Sequence, residues 1–410
     1  MKLARAVVAT LIFSSTVCAQ SVPKSVTVPI TLDHNRVVID VYLPLPDGTS
    51  KRVRAWVDSG NSEMTMSQRV AALLGPVRCD KQVCTAKAPS AILVGGWKTS
   101  LPEVHEAHAP AGVPTDLMDP GMGTEINFPS TVLRNYDVVI DYPNRQFTIG
   151  EPGSVSFKGN SAKALINPSG LIQVPTQIEG QTYNLALDIG ASISLISSSL
   201  LAGWQKAHPT WAVMHGAVGA ANMWGTPNEA QWDMVRVPEL PFGATRLANV
   251  AVAPFAGDRL DFFEKRAGLP TVGLVGGNAL RQYVVGIDYA HSTVYLQRTN
   301  TAAPDMDVVG LTLHPENDGR YTVLGVADFD GKPSVPEVKV GDVLLGVDGA
   351  PATGATMGQL WSLLGGTPGQ TRSLTLERDG KRITVDAPVR RFLSPGSAAH
   401  SARKTAPKQR

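Results

Sequence analysis

The chain has 410 residues, 43% hydrophobic and 18% charged, an ordinary globular composition and long enough for about two to four domains. Its 37 Lys and Arg stand against 35 Asp and Glu, a near-neutral balance that argues against a nucleic-acid polyanion as partner of the whole surface. No apolar run reaches the ~20 residues of a membrane span.

Residues 1–19 begin with Lys2 and Arg5, continue through an apolar run from Val7 to Val17, and end on Val17-Cys18-Ala19 before Gln20. A charged start, a short apolar centre and a small-residue cleavage site are the pattern of a removable signal peptide. Ser15, not a large aliphatic, stands three residues before Cys18, which argues against a lipoprotein anchor. The mature chain is expected to be soluble and exported, periplasmic or secreted in a bacterium. Loss of the leader brings basic and acidic residues into balance and leaves Cys79 and Cys84, with four residues between them. In an exported chain such a pair most simply closes one small disulfide loop. Two thiolates with no nearby histidine leave the competing zinc site half built.

Three blocks follow. In the first, residues 22–150, alternating strand-type sequence turns at Asp47-Gly48 into Arg-Val-Arg-Ala-Trp-Val and ends at Asp58-Ser59-Gly60. A helix-prone stretch runs from Ser67 to Leu74. The second block, residues 160–298, repeats the plan: Glu179-Gly180 is the turn, Tyr-Asn-Leu-Ala-Leu ends at Asp188-Ile189-Gly190, and Ser197 to Trp204 is helix-prone. Each block closes on nearly the same segment, LRNYDVVIDYPNRQFTI from Leu133 and LRQYVVGIDYAHSTVYL from Leu280. At an offset of 147, seven positions are identical, among them Asp141/Asp288 and Tyr142/Tyr289. Residues 299–307 read as a linker, residues 308–393 as a separate small domain, and residues 394–410, with Arg403, Lys404, Lys408 and Arg410, as a disordered basic tail.

A duplication that delivers one carboxylate per copy predicts two lobes related by a pseudo-two-fold axis, with Asp58 and Asp188 meeting on it. Two aspartates about 3 Å apart cannot both ionise, so they share a proton. The ionised one can deprotonate a water while the other donates to a peptide carbonyl. The adjacent Gly60 and Gly190 would let the two loops approach backbone to backbone. No Gly-x-Ser-x-Gly elbow, phosphate loop or His-Glu-x-x-His is present, so serine, nucleotide and zinc-peptidase chemistry lack support. His105 and His108 beside Glu103 and Glu106 read as a surface loop and not as a metal site. Neither metal nor cofactor is expected.

Asp58-Ser59-Gly60-Asn61-Ser62, Asp188-Ile189-Gly190-Ala191-Ser192 and Gly-Leu-Val-Gly-Gly-Asn-Ala-Leu-Arg of residues 273–281 resemble the aspartic peptidase clan, in its retropepsin-like and pepsin-like members, over residues 25–298. The resemblance implies a mainly β fold of two duplicated closed-barrel lobes, catalytic Asp58 and Asp188 in the cleft between them, a polypeptide substrate, and a flap. The flap candidates are Ile92–Trp97 and Gly219–Trp224, which read equally as sheet-packing hairpins. The family places Thr or Ser after its second aspartate, where the hydroxyl bonds to the opposite loop. Here Ser59 has the hydroxyl and Ile189 does not, so one half of a reciprocal pair is expected to be missing, at about 1 kcal/mol if a buried partner is left unmet.

Val338-Lys-Val-Gly341-Asp342-Val-Leu-Leu-Gly-Val-Asp348-Gly349 and Leu374-Thr-Leu-Glu-Arg378-Asp379-Gly380-Lys381 resemble a small α+β PDZ domain of the bacterial exported type. That resemblance implies an edge strand from Tyr321 through Thr322 and Val323 to Gly325 that accepts a peptide C-terminus, with its carboxylate in the turn of Asp318, Gly319 and Arg320. The alternative is a small β-domain that packs on the lobes. Two functions follow: an exported aspartic endopeptidase, or a non-catalytic peptide-binding protein on the same scaffold.

Overall fold

The computed structural model describes residues 23–394, apart from 81–82, 102–103, 111–115, 217–229, 256 and 302–305. The signal-type segment, the basic tail and Gly219–Trp224 therefore lie outside the described residues. The fold is mainly β, with six short helices among the described residues: α1 Gln68–Leu74, α2 Ser130–Leu133, α3 Ser198–Ala207, α4 Gly257–Ala267, α5 Gly277–Leu280 and α6 Met357–Leu364.

The duplicated segments build the sheet that joins the lobes. Its order is Ser25–Pro29, Gln146–Gly150, Asp137–Asp141, Tyr283–Asp288, Thr293–Arg298, Asn160–Lys163. At its centre Asp137–Asp141 runs antiparallel to Tyr283–Asp288, with Val139 opposite Gly286, Val138 opposite Ile287 and Ile140 opposite Val285. Val139 and Gly286 are each other's counterparts in the duplication, so the pseudo-two-fold passes between them. The hairpin turns also match. Asp141 Oδ1 accepts the Asn144 amide and Asp288 Oδ1 accepts the His291 amide, both at 3.0 Å. Arg145 and Ser292 follow with φ of 54° and 48°. The repeated aspartates of this segment are thus turn-formers.

Each lobe then places an aspartate at the end of a strand gripped from both sides. Ser50–Asp58 pairs antiparallel with Arg36–Pro44 and parallel with Ile126–Pro129. Gln181–Leu187 pairs antiparallel with Ile172–Ile178 and parallel with Gly273–Val275. The Ile-Asn-Phe-Pro segment of the first lobe therefore supplies the same parallel strand as Gly-Leu-Val in the second. Ser67 and Ser197 cap α1 and α3 by accepting the Val70 and Leu200 amides. One apolar core runs through both lobes and the central sheet, and includes Phe128, Phe147, Ile189 and Tyr283.

Residues 311–388 form a further six-stranded sheet, with helix α6, around their own core of Leu313, Val323, Leu344, Leu360 and Leu376. Here the structure corrects two expectations. Tyr321–Val326 is not an edge strand: it is flanked by Leu311–Pro315 along its length and by Val343–Val347 at Tyr321 and Thr322. The Val323 amide and carbonyl are also bonded, to Asp342 O and Gly341 N. The turn before it is no anion receptor. The Gly319 amide donates to Glu316 O, and the Arg320 amide and Nε donate to the Asp318 carboxylate, so an acidic group already sits there. A peptide carboxylate would meet occupied amides and like charge.

The C-terminal block docks through specific bonds. The Gly358 amide, in the first turn of α6, donates to Asp33 Oδ1 at 2.6 Å, and the Met357 amide donates to Gly121 O at 2.7 Å. His34 packs on Trp361 with ring centroids 5.3 Å apart. On the second lobe, Arg236 Nε donates to Leu393 O at 2.8 Å.

Candidate active site

Asp58 and Asp188 emerge from the two gripped strands and face each other across the lobe interface, both buried. The glycines explain how closely. A β-carbon on Gly60 would overlap the Asp188 carboxylate, and one on Gly190 would overlap that of Asp58. Any larger residue at either position would push the carboxylates apart.

The loops are also tied to each other. The Ser59 hydroxyl, fully buried, donates to Leu187 O at 2.9 Å and accepts the Ile189 amide at 3.0 Å. Trp56 Nε1 donates to Gly190 O at 3.2 Å. The Ser59 hydroxyl thus meets both a donor and an acceptor of the opposite loop, so its half of the reciprocal pair is complete. Ile189 replaces the reciprocal hydroxyl with a side chain at 0% exposure inside the common core.

Each carboxylate is held by amides of its own loop, but unequally. Asp58 Oδ1 accepts the Gly60 amide at 2.9 Å, whereas Asp188 Oδ1 accepts those of Gly190 and Ala191 at 2.9 and 3.0 Å. Asp58 Oδ2 is buried with no partner among the described residues. Burial, and then the charge of Asp188, holds the Asp58 carboxyl well above the ordinary carboxylate range. Burial also lifts Asp188, against the pull of its two amides and of Arg36 and Arg266. More donors stabilise the charged form of Asp188, so the shared proton belongs on Asp58.

The remaining groups about the dyad were not singled out in the sequence. Arg36 is buried on the first lobe: burial pulls its guanidinium down, and the charges of Asp119, Asp33, Asp58 and Asp188 hold it up. Tyr142 and Tyr289, the last identities of the repeat, have buried hydroxyls without a partner among the described residues. Burial raises both phenols, Tyr142 further through Asp188 and Tyr289 through Asp58. The cleft itself is a cavity of about 260 Å³ lined by both aspartates, both glycines, Arg36, Trp56 and Asp119, and on the far side by helix α4. A larger cavity, about 680 Å³, lies between Thr31–Asp33 and the C-terminal block; it contains neither aspartate of the dyad.

The other predicted residues lie away from the cleft. Cys79 and Cys84 are disulfide-bonded across directly opposed positions of the hairpin formed by Arg78–Asp80 and Val83–Lys87. The Ile92–Trp97 segment is a hairpin with Gly95 and Gly96 at its turn. It packs on the first lobe, with Trp97 edge-on to Tyr136 and its Nε1 donating to Pro23 O. It therefore does not line the cleft, and the sheet-packing reading of this hairpin is the one the structure supports. Gly319 and Arg320 lie in the turn before, and Tyr321 to Val323 within, a strand of the C-terminal sheet described above.

No protein-family model matches the chain, and no curated protein sequence does. Among solved structures, the fold is similar to that of an aspartic proteinase from Irpex lacteus, with 14% identity and a TM-score of 0.40 over 67% of this chain and 98% of that one.

Proposed function

We propose that the chain is an exported aspartic endopeptidase that hydrolyses peptide bonds with the Asp58/Asp188 pair. The observation that carries this reading is the mutual close approach, Gly60 against the Asp188 carboxylate and Gly190 against that of Asp58, between loops bonded through Ser59. Turn-forming aspartates have no need of such contact, and two buried like charges cost stability unless one is protonated. Asp188, ionised, takes a proton from water as the water attacks the scissile carbonyl. Asp58, protonated at its unpartnered oxygen, donates to the carbonyl oxygen, giving the neutral tetrahedral diol. The roles then reverse as the leaving amine takes a proton.

Export rests on the pattern of residues 1–19. The C-terminal block, bonded to both lobes, serves as a docked brace and not as a reader of peptide C-termini. The test is proteolysis of a denatured protein mixture, with new termini mapped by mass spectrometry. Cleavage by the wild type and none by Asp58→Asn is the expected result; equal cleavage by both refutes the mechanism, and no cleavage by the wild type favours the binding-protein alternative.

A further inference from the structure

Helix α4 lines the cleft that holds the dyad. Arg259, Phe262, Phe263 and Arg266 all line the cavity that holds Asp58 and Asp188. Their spacing of three, four and seven residues puts them on one helical face. The helix is fixed from the second lobe: Asn167 Nδ2 donates to Arg266 O and Ala267 O at 3.1 and 3.2 Å, and Glu264 Oε1 accepts the Thr271 amide at 2.8 Å. It also reaches the first lobe. Arg266 Nη2 donates to Asn61 Oδ1 at 2.5 Å and to Ser62 Oγ at 3.3 Å, in the loop that carries Asp58.

Both partners of Arg266 are neutral oxygens, and both bonds leave from Nη2. Its Nε and Nη1 have no hydrogen-bond partner among the described residues. The guanidinium lies 5.4 Å from the Phe262 ring centroid, and Phe262 is 58% exposed, the largest apolar side chain presented on this helix. A tether between lobes needs no spare donors and no open aromatic beside it. An acidic side chain with an apolar stem uses both.

Resting on the peptidase reading of the dyad, we propose that Arg266 and Phe262 form a substrate subsite for an acidic side chain, glutamate before aspartate, adjoining the scissile bond. The carboxylate takes the open donors of Arg266 and the methylene stem lies on Phe262. Arg266 is thus a specificity-determining residue, and Asn61 and Ser62 position it.

The experiment uses the full chain and pairs of fluorogenic peptides that differ only by Glu or Gln at each position flanking the cut. At one position the wild type is expected to prefer Glu by about tenfold in kcat/KM, through KM. The ratio falls to near one in Arg266→Gln and recovers in part in Arg266→Lys. Cleavage with a ratio near one at every position, or a ratio unmoved by Arg266→Gln, overturns the subsite; the wild-type ratio decides alone if the variants do not fold. Anisotropy of the same peptides, labelled, on the full-length Asp58→Asn protein needs no turnover. Preferential Glu binding without wild-type cleavage sinks the peptidase reading and leaves the subsite; cleavage without preference does the reverse; neither sinks both.

Discussion

The Ser59 hydroxyl accepts the Ile189 backbone amide at 3.0 Å, so the residue that lacks a hydroxyl still holds the one opposite it. The same Ser59 Oγ donates to Leu187 O. One side chain therefore makes two of the bonds that fix the spacing of the two carboxylates. Ser59→Ala leaves a buried N–H and a buried C=O unmet and is expected to cost about 2–4 kcal/mol of stability. Peptidase kcat is expected to fall at least about tenfold, since a small loss of positioning has a large effect on rate. Denaturant titration beside peptide kinetics tests this; a folded, fully active alanine variant refutes the role given to Ser59.

Ile189→Thr follows a different logic. The Ser59 hydroxyl already has both its partners, so a hydroxyl at position 189 adds nothing to them, while the buried isoleucine loses apolar contact in the common core. The expected outcome is a loss of about 1–2 kcal/mol of stability with kcat/KM within about threefold of wild type. A large gain in activity would show that the isoleucine holds the dyad below its best geometry.

Asp58→Asn and Asp188→Asn should each abolish cleavage, and the double variant should be no worse than either, because residues acting as one unit are not additive. Residual cleavage of more than a few per cent in one of them would remove that aspartate from the mechanism. The stability of these variants is a separate test. The folded carboxyls titrate above their ordinary value, so their contribution to stability is fully present below the unfolded value and is lost as pH rises through the folded one. Relative to wild type, Asp188→Asn should therefore gain stability as pH rises from the ordinary carboxylate range through about 6, and the gain should level off above that. Thermal melts from pH 4 to 8 read the difference; a difference independent of pH counts against the raised carboxyls.

The proposed mechanism needs Asp188 ionised and Asp58 protonated. Burial pushes Asp188 up to about 6, so kcat/KM is expected to fall on acidification through that region, not through the ordinary carboxylate range near 4. The charge of Arg266 holds both carboxyls down, so Arg266→Gln should move this acid limb to higher pH. A pH–rate profile with its acid limb near 4 would contradict the burial described for the pair.

Gly358 has no room for a side chain, because a β-carbon there would overlap Asp33. Gly358→Val should therefore loosen α6 from the first lobe while the separate core of the C-terminal block stays intact. Hydrogen exchange should rise in the Asp33–Arg36 turn and not in Val343–Val347. Unchanged protection in the turn would mean the docking does not depend on this contact.

The duplicated aspartates and glycines were readable because close approach of two loops leaves no choice of residue there. The repeated hairpin was readable because its turn chemistry is written into Asp141 and Asp288. Helix α4 was not read, although Arg259, Phe262, Phe263 and Arg266 carry helical spacing: the meaning of that stripe depends on the opposite lobe, 200 residues away at Asn61 and Ser62. Arg36 was hidden likewise, inside an alternating strand pattern that predicts its conformation but not the four carboxylates about it. The error at Tyr321–Val326 has another source. The local pattern identified a strand, but whether a strand lies at an edge depends on Leu311–Pro315 folding back along it.

The central pair of strands has a consequence of its own. Val139 lies opposite its own counterpart, Gly286, the relationship that two identical subunits would have across a dyad. In such an assembly every substitution arrives twice. A single chain is released from that constraint, and its two halves have diverged at the places that matter: Trp56 against Ala186, Ser59 against Ile189, one amide on Asp58 against two on Asp188. In the proposed mechanism, acid and base are thereby distinguished before any substrate arrives, which an exactly symmetric pair can achieve only by chance protonation of one side.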